Sequence, residues 1–171
     1  MAYKLFVDSD IFMDILLIRE PHFSDSVSIL HLRAEFKVEL YTSPSIILNT
    51  NYIAQKQNNK AKALKGIAEI LKTVEIIEAT KEILINCFNN KHRDVEDAVQ
   101  YFTALQNESL DYYLTRNIRH LDFKNWNLPV VTPSQFLKIF KQIISCYFPF
   151  TEFRIFCTKR RYPFFQDLLC Y

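Results

Sequence analysis

Carboxylates that could act together stand at two distant points of this chain. In RDVEDAVQYFTAL, residues 93–105, Asp94 and Asp97 are three apart at the start of an amphipathic segment, a spacing that puts both side chains on one side of a helix. Val95, Ala98, Val99, Phe102 and Leu105 give that segment its apolar stripe. The apolar run Tyr112-Tyr113-Leu114-Thr115 then delivers Arg116, Asn117 and, a few residues on, Asp122. Near the start, Asp8 ends the run Leu5-Phe6-Val7. Acids gathered from such places can hold a divalent cation through hard oxygen ligands and leave positions open for phosphate. Without a cation they repel, so at least one of Asp8, Asp94 and Asp97 is expected to hold its proton above the usual carboxylate range. The plainer reading is that Asp is favoured in the first turn of any helix, as a cap and by the helix dipole. Asp94 and Glu96 alone satisfy that reading. Asp8, at the other end of the sequence, is what raises the chemical one.

The elements must bring these residues together. Leu5–Val7 has strand character, and Ser9 or Asp10 is placed to cap the helix carrying Ile11, Phe12, Ile15 and Leu16, which leaves Asp8 one residue ahead of the cap. The C-terminal edge of a parallel strand, where Asp8 then sits, is where such sheets bind ligands. Ser24 is expected to cap a second helix. Val38–Tyr41 reads as the second strand, with Ser43 as cap and Pro44 at the first position of a helix running to Gln57. A basic helix, Lys60 to Lys72, a strand, Thr73–Ile77, and a helix, Lys81 to Asn89, lead to the acidic segment. After the strand Tyr112–Thr115 come a loop with Trp126, a short strand at Leu128–Val131 and a helix through Phe140. Strands alternating with helices predict a mainly parallel sheet with crossover helices. One domain is expected over residues 1–144, with Asp8 and Asp97 within reach of a shared ion.

Composition narrows the function classes. A chain of 171 residues with 49% hydrophobic and 23% charged residues has enough apolar material for one core. The net charge of +2 does not announce nucleic-acid binding, so any such surface must be local. A single glycine, Gly66, excludes P-loops and dinucleotide fingerprints, which need several. The four cysteines lack zinc-site spacing, and Cys87 reads as core. The start MAYKLFVDSD has no signal-peptide pattern and no apolar run reaches spanning length, so a cytoplasmic location with no membrane partner is expected.

Five segments in order carry a family resemblance: LFVDSDIFMDILLIREPHF, LYTSPSIILNTNYIAQK, RDVEDAVQYFTAL, DYYLTRNIRHLDF and PVVTPSQFLKIF. Over roughly Tyr3 to Phe140 the chain resembles a PIN-domain protein of the VapC-like group. The resemblance implies a PIN-like three-layer α/β/α sandwich, an acidic cluster binding Mg²⁺ or Mn²⁺, and metal-dependent endoribonuclease activity, often as the toxin of a toxin–antitoxin pair. It implies metal ligands at Asp8 and Asp97, with Asp94 a companion acid. Asn117 stands where many members carry a fourth acid, Asp122 is the carboxylate nearby, and these five form the expected catalytic set. The family's remaining acid, a Glu on the helix after the second strand, aligns with Asn49; an amide there offers a carbonyl oxygen but no charge. Asn49 and Arg116 are expected at the substrate, and Arg116 could equally pair with Asp94 or Asp122. RNA, an antitoxin protein and a second copy of the chain are the partners expected.

Two other functions compete. Asp8-Ser9-Asp10 suggests a haloacid-dehalogenase-type phosphatase, although Phe12 and the lack of a later GD-containing acid motif depart from that pattern. Asn49 and Asn117 suggest a non-catalytic PIN protein that binds RNA or a partner. The Lys56, Lys60, Lys62, Lys65, Lys72 series reads as a solvated helix face. Residues 145–171 form an aromatic-rich extension with Lys159-Arg160-Arg161, read as a segment that packs on the domain or self-associates, with an altered coding sequence as the third reading.

Overall fold

The structure is a computed structural model and describes residues 2–90, 92–121 and 128–147. Asp122, Trp126 and the aromatic stretch from Phe148 onward lie outside the described residues. Five strands, β1 (Tyr3–Val7), β2 (Val38–Thr42), β3 (Val74–Ile76), β4 (Tyr112–Leu114) and β5 (Val130–Val131), form one sheet in the order β3-β2-β1-β4-β5. Every neighbouring pair is parallel. Seven α-helices flank it among the described residues: α1 (Ser9–Leu16), α2 (Phe23–Ala34), α3 (Pro44–Gln57), α4 (Lys60–Leu71), α5 (Lys81–Asn89), α6 (Val95–Leu105) and α7 (Pro133–Tyr147). This is the three-layer α/β/α sandwich that the sequence resemblance implied.

Parallel strands buried on both faces need near-continuous apolar runs. In β1, Leu5, Phe6 and Val7 are all buried, as are Tyr113 and Leu114 in β4. Register sets Phe6 opposite Tyr113, and their rings stack with centroids 5.2 Å apart. Tyr101 of α6 packs on Tyr113 at 5.7 Å and donates its hydroxyl hydrogen to the Leu128 carbonyl, so α6, β4 and the approach to β5 share one aromatic core. At the other end of that core Tyr3, Tyr112, Phe136 and Phe140 meet edge to face, which fixes α7 against β1 and β4.

With one glycine in the chain, left-handed backbone falls on other residues. Ile18 and Phe36, just beyond α1 and α2, have φ of 50° and 56°. Both are exposed, and the second follows α2 where glycine usually ends a helix. Boundaries depart from expectation where capping was misjudged. The helix expected to be capped by Ser24 begins at Phe23, because the turn before it already supplies acceptors: Phe23 N–H donates to the Arg19 carbonyl at 2.9 Å. The last helix continues to Tyr147, past Phe140.

Candidate active site

The central strand, β1, ends at Val7, and Asp8 follows it. Asp8 is itself the N-cap of α1, its Oδ1 accepting from Ser9 N–H at 2.6 Å, which corrects the expectation that Ser9 or Asp10 would cap. Its own N–H donates to the Leu114 carbonyl at 3.0 Å, so the end of β1 is stitched to the end of β4. Thr42 does the same from β2, donating its hydroxyl hydrogen to the Val7 carbonyl at 3.0 Å. Asp8 is only 6% exposed. Burial pushes its carboxyl up to about 7, the charges of Asp10 and Asp97 push the same way, and the Ser9 N–H and Thr115 hydroxyl pull it partly back.

The acidic helix arrives opposite. Asp94 and Asp97 do not work as a matched pair: Asp94 is the N-cap of α6, its Oδ1 folded back to accept from Glu96 N–H at 3.0 Å and Asp97 N–H at 3.2 Å. Asp97 faces the β4 exit, where Asn117 donates from Nδ2 to its Oδ2 at 3.4 Å. Asn117 is in turn fixed by its N–H, which donates to the Thr115 hydroxyl at 3.0 Å. Asn49 of α3 does not stand apart from the acids either. Its Nδ2 donates to Glu96 Oε1 at 2.9 Å.

Arg116 does not pair with Asp94, and Asp122 lies outside the described residues; the Arg116 Nε lies 2.9 Å from Asp14 Oδ2 and 3.8 Å from Asp10 Oδ2, two acids that the sequence pattern does not set beside it. Its N–H also donates to Asp10 Oδ2 at 2.7 Å, and the Thr115 hydroxyl donates to the same oxygen at 3.3 Å. Asp14 is wholly buried, with Ser26 donating to its Oδ2 at 3.4 Å. Burial raises the carboxyls of both Asp10 and Asp14, and Arg116 opposes the rise in each. A buried acid needs such a partner, so Arg116 ties the β4 exit to α1 and thereby sets where Asn117 points.

Asp10 and Asp14 were missed as site-building residues. The available signal was Asp14 itself, an acid set between Met13 and Ile15 in an otherwise apolar run. Such a residue calls for a cation from elsewhere in the chain.

The donor set suits Mg²⁺ or Mn²⁺ and not a thiolate or imidazole metal. It consists of oxygens: a buried carboxylate at Asp8, a second at Asp97, and an amide beside them. Among the described residues no three His, Cys, Asp or Glu side chains form a ready cage. Mg²⁺ does not require one, since it binds through one or two carboxylates and keeps several waters.

Comparison with known proteins places the fold in a family. The PIN domain family model matches residues 4–119. Ribonuclease VapC1 of Aquifex aeolicus is 32% identical over 106 residues, which cover 59% of this chain and 73% of the relative. Among solved structures, VapBC2 from Rickettsia felis bound to a DNA fragment from its promoter superposes with a TM-score of 0.58 at 14% identity, covering 75% of this chain and 98% of that one. Mycobacterium tuberculosis VapC20, a sarcin-ricin loop cleaving toxin, gives a TM-score of 0.51 at 14% identity over 64% of this chain and 86% of that one. These two likenesses concern the fold. With the family match spanning most of the described domain, the chain belongs to the PIN-domain family and is a VapC-like member of it.

Proposed function

We propose that this protein is a metal-dependent endoribonuclease that hydrolyses RNA phosphodiester bonds. The observation that carries the reading is Asp8: a buried carboxylate at the C-terminal edge of the central strand, with Asp97 brought opposite it by α6. Burying a carboxylate against other acids is costly unless a cation shares the place. Asp8 and Asp97 would hold Mg²⁺ or Mn²⁺, which when bound supplies an activated water for in-line attack and offsets charge on the phosphate in the transition state. Asn117 orients Asp97 through its amide. Arg116, held by Asp14, fixes the backbone that carries Asn117. Asp94 aims α6 as its cap, and Asp122 is proposed as the acid that orients water.

The named relatives motivate the biological setting. A ribonuclease VapC1 and a VapBC complex support reading this chain as a toxin restrained by an antitoxin protein, and we extend the proposal to action in the cytoplasm as a homodimer. Among the described residues no helix is long and apolar enough to cross a membrane.

The test is cleavage of single-stranded RNA with Mg²⁺ or Mn²⁺. The expected result is cleavage that EDTA abolishes and that Asp8→Asn abolishes without unfolding the protein. RNA bound but uncut by the parent protein would favour the non-catalytic alternative. Turnover of a small phosphate ester without RNA cleavage would favour the phosphatase reading, which the family match does not support.

A further inference from the structure

Two amides of this site stand where the resemblance expects acids, and each gives its N–H to an acid of α6. Asn117 holds Asp97, and Asn49 holds Glu96. The sequence gives Glu96 no special standing beyond that of an exposed helix-start acid. In the structure it is the residue toward which α3 reaches. Gln100, one turn further along α6, also donates from Nε2 to Glu96 Oε1 at 3.2 Å. Gln100 is 2% exposed, and its own Oε1 is buried with no partner among the described residues. Both of these bonds end on Oε1 of Glu96 and neither uses Oε2.

We propose that Glu96 supplies the negative charge that α3 lacks at this site, held in place by Asn49 and acting on bound Mg²⁺ or Mn²⁺ through the ion's water shell. The inference rests on the metal-site reading given above and adds a residue to it. Four features support it. Asn49 can hold a carboxylate only through its N–H₂ group, so in this arrangement its carbonyl oxygen is turned away from Glu96. Glu96 neighbours Asp97 on the first turn of α6, which brings the helix's positive end to both acids. Its charge is also felt at the same buried point as those of Asp8, Asp97 and Asp10: all four raise the phenol of Tyr113, after burial, which is the larger cause. An acid exposed to water, as Glu96 is, suits an ion that keeps most of its hydration.

The assignment makes an unusual demand on Asn49→Glu. If Asn49 were simply a ligand position short of one charge, adding a carboxylate would tighten metal binding. If Glu96 already supplies that charge, the new carboxylate faces Glu96 and repels it, and only relocation of the charge is harmless.

Mn²⁺ binding to the full chain by calorimetry tests this without recourse to activity. Glu96→Gln is expected to weaken binding about 10-fold, the lower end of outer-shell contributions. Asn49→Glu alone should give no gain. The double variant Asn49→Glu/Glu96→Gln should return to within about 2-fold of the parent, because the charge has moved from α6 to α3. Melting curves in EDTA confine the comparison to folded protein. Binding by Glu96→Gln equal to the parent's overturns the proposal, as does a double variant no stronger than Glu96→Gln. If in that case Asp8→Asn still loses Mn²⁺, the metal site itself stands and only the role of Glu96 falls. A parent that takes up no Mn²⁺ at millimolar concentration sinks both.

Discussion

Asp8 carries two duties whose energetics differ in sign. As a cap it satisfies the first N–H of α1, a favourable contact that Asn can also make. As a buried carboxylate its pKa of about 7 lies well above the ordinary 3.8. At low pH both folded and unfolded chains are protonated at Asp8 and the group costs nothing. As pH rises from the unfolded value toward about 7, only the unfolded chain releases its proton, so stability falls and the full cost is present above the folded value. In EDTA, Asp8→Asn is therefore expected to be more stable than the parent by roughly 2–4 kcal/mol near about pH 8, with the gain vanishing near about pH 4. Urea unfolding at the two pH values measures it, and an equal gain at both would show that the charge is not the cause. The same variant should be inactive, an exchange of stability for function. Asp8 and Asp97 could be found in the sequence because each stands at the edge of a readable apolar pattern. Asp14 was visible as an acid in an apolar run but its partner was not, because Arg116 is about a hundred positions away, and no periodicity reports which cation crosses the fold to meet a buried acid.

Helix α6 carries two neighbouring acids with different contacts. Asp94 bonds to two N–H groups of its own helix, and Asp97 faces Asn117 on β4. The two should separate cleanly on substitution. Asp94→Ala is expected to cost about 1 kcal/mol of stability, with Asn retaining most of the cap. Asp97→Asn should leave stability within about 0.5 kcal/mol of the parent while abolishing RNA cleavage. Chemical unfolding paired with cleavage rates distinguishes them; a large stability loss in Asp97→Asn would mean that its contacts are structural. The existence of each helix was legible from its apolar stripe and its turn residues, as with Ser43 and Pro44 ahead of α3. Helix starts were less so. At Asp8 and at Phe23 the first turn is decided by which local acceptor reaches the free N–H groups, a choice among adjacent residues that the stripe does not make.

At the scale of the whole molecule, strand order explains why the site is where it is. The chain builds β1, β2 and β3 outward on one side, then returns to add β4 and β5 on the other, so the direction reverses between β1 and β4. A crevice opens at such a reversal, at the C-terminal ends of the two strands, and Asp8 and Asn117 flank it. That reversal was not readable from the sequence, which supplies the elements and their sense but not which earlier strand β4 will join. What closes the domain can also be located. Phe136 is fully buried, and with Tyr3, Tyr112 and Phe140 it completes the core on the α7 side, all before residue 147. The Rickettsia felis structure is matched over 98% of its length by 75% of this chain, so the shared fold does not require every residue present here. A chain ending at Tyr147 is thus expected to fold, to melt within about 5 °C of the full chain, and to bind Mn²⁺ with the same affinity within about 2-fold. The melting temperature and calorimetry of the two forms decide it. An insoluble or unfolded product would place residues 148–171 in the cooperative unit, whereas a folded product that no longer takes up Mn²⁺ would bring those residues to the site itself.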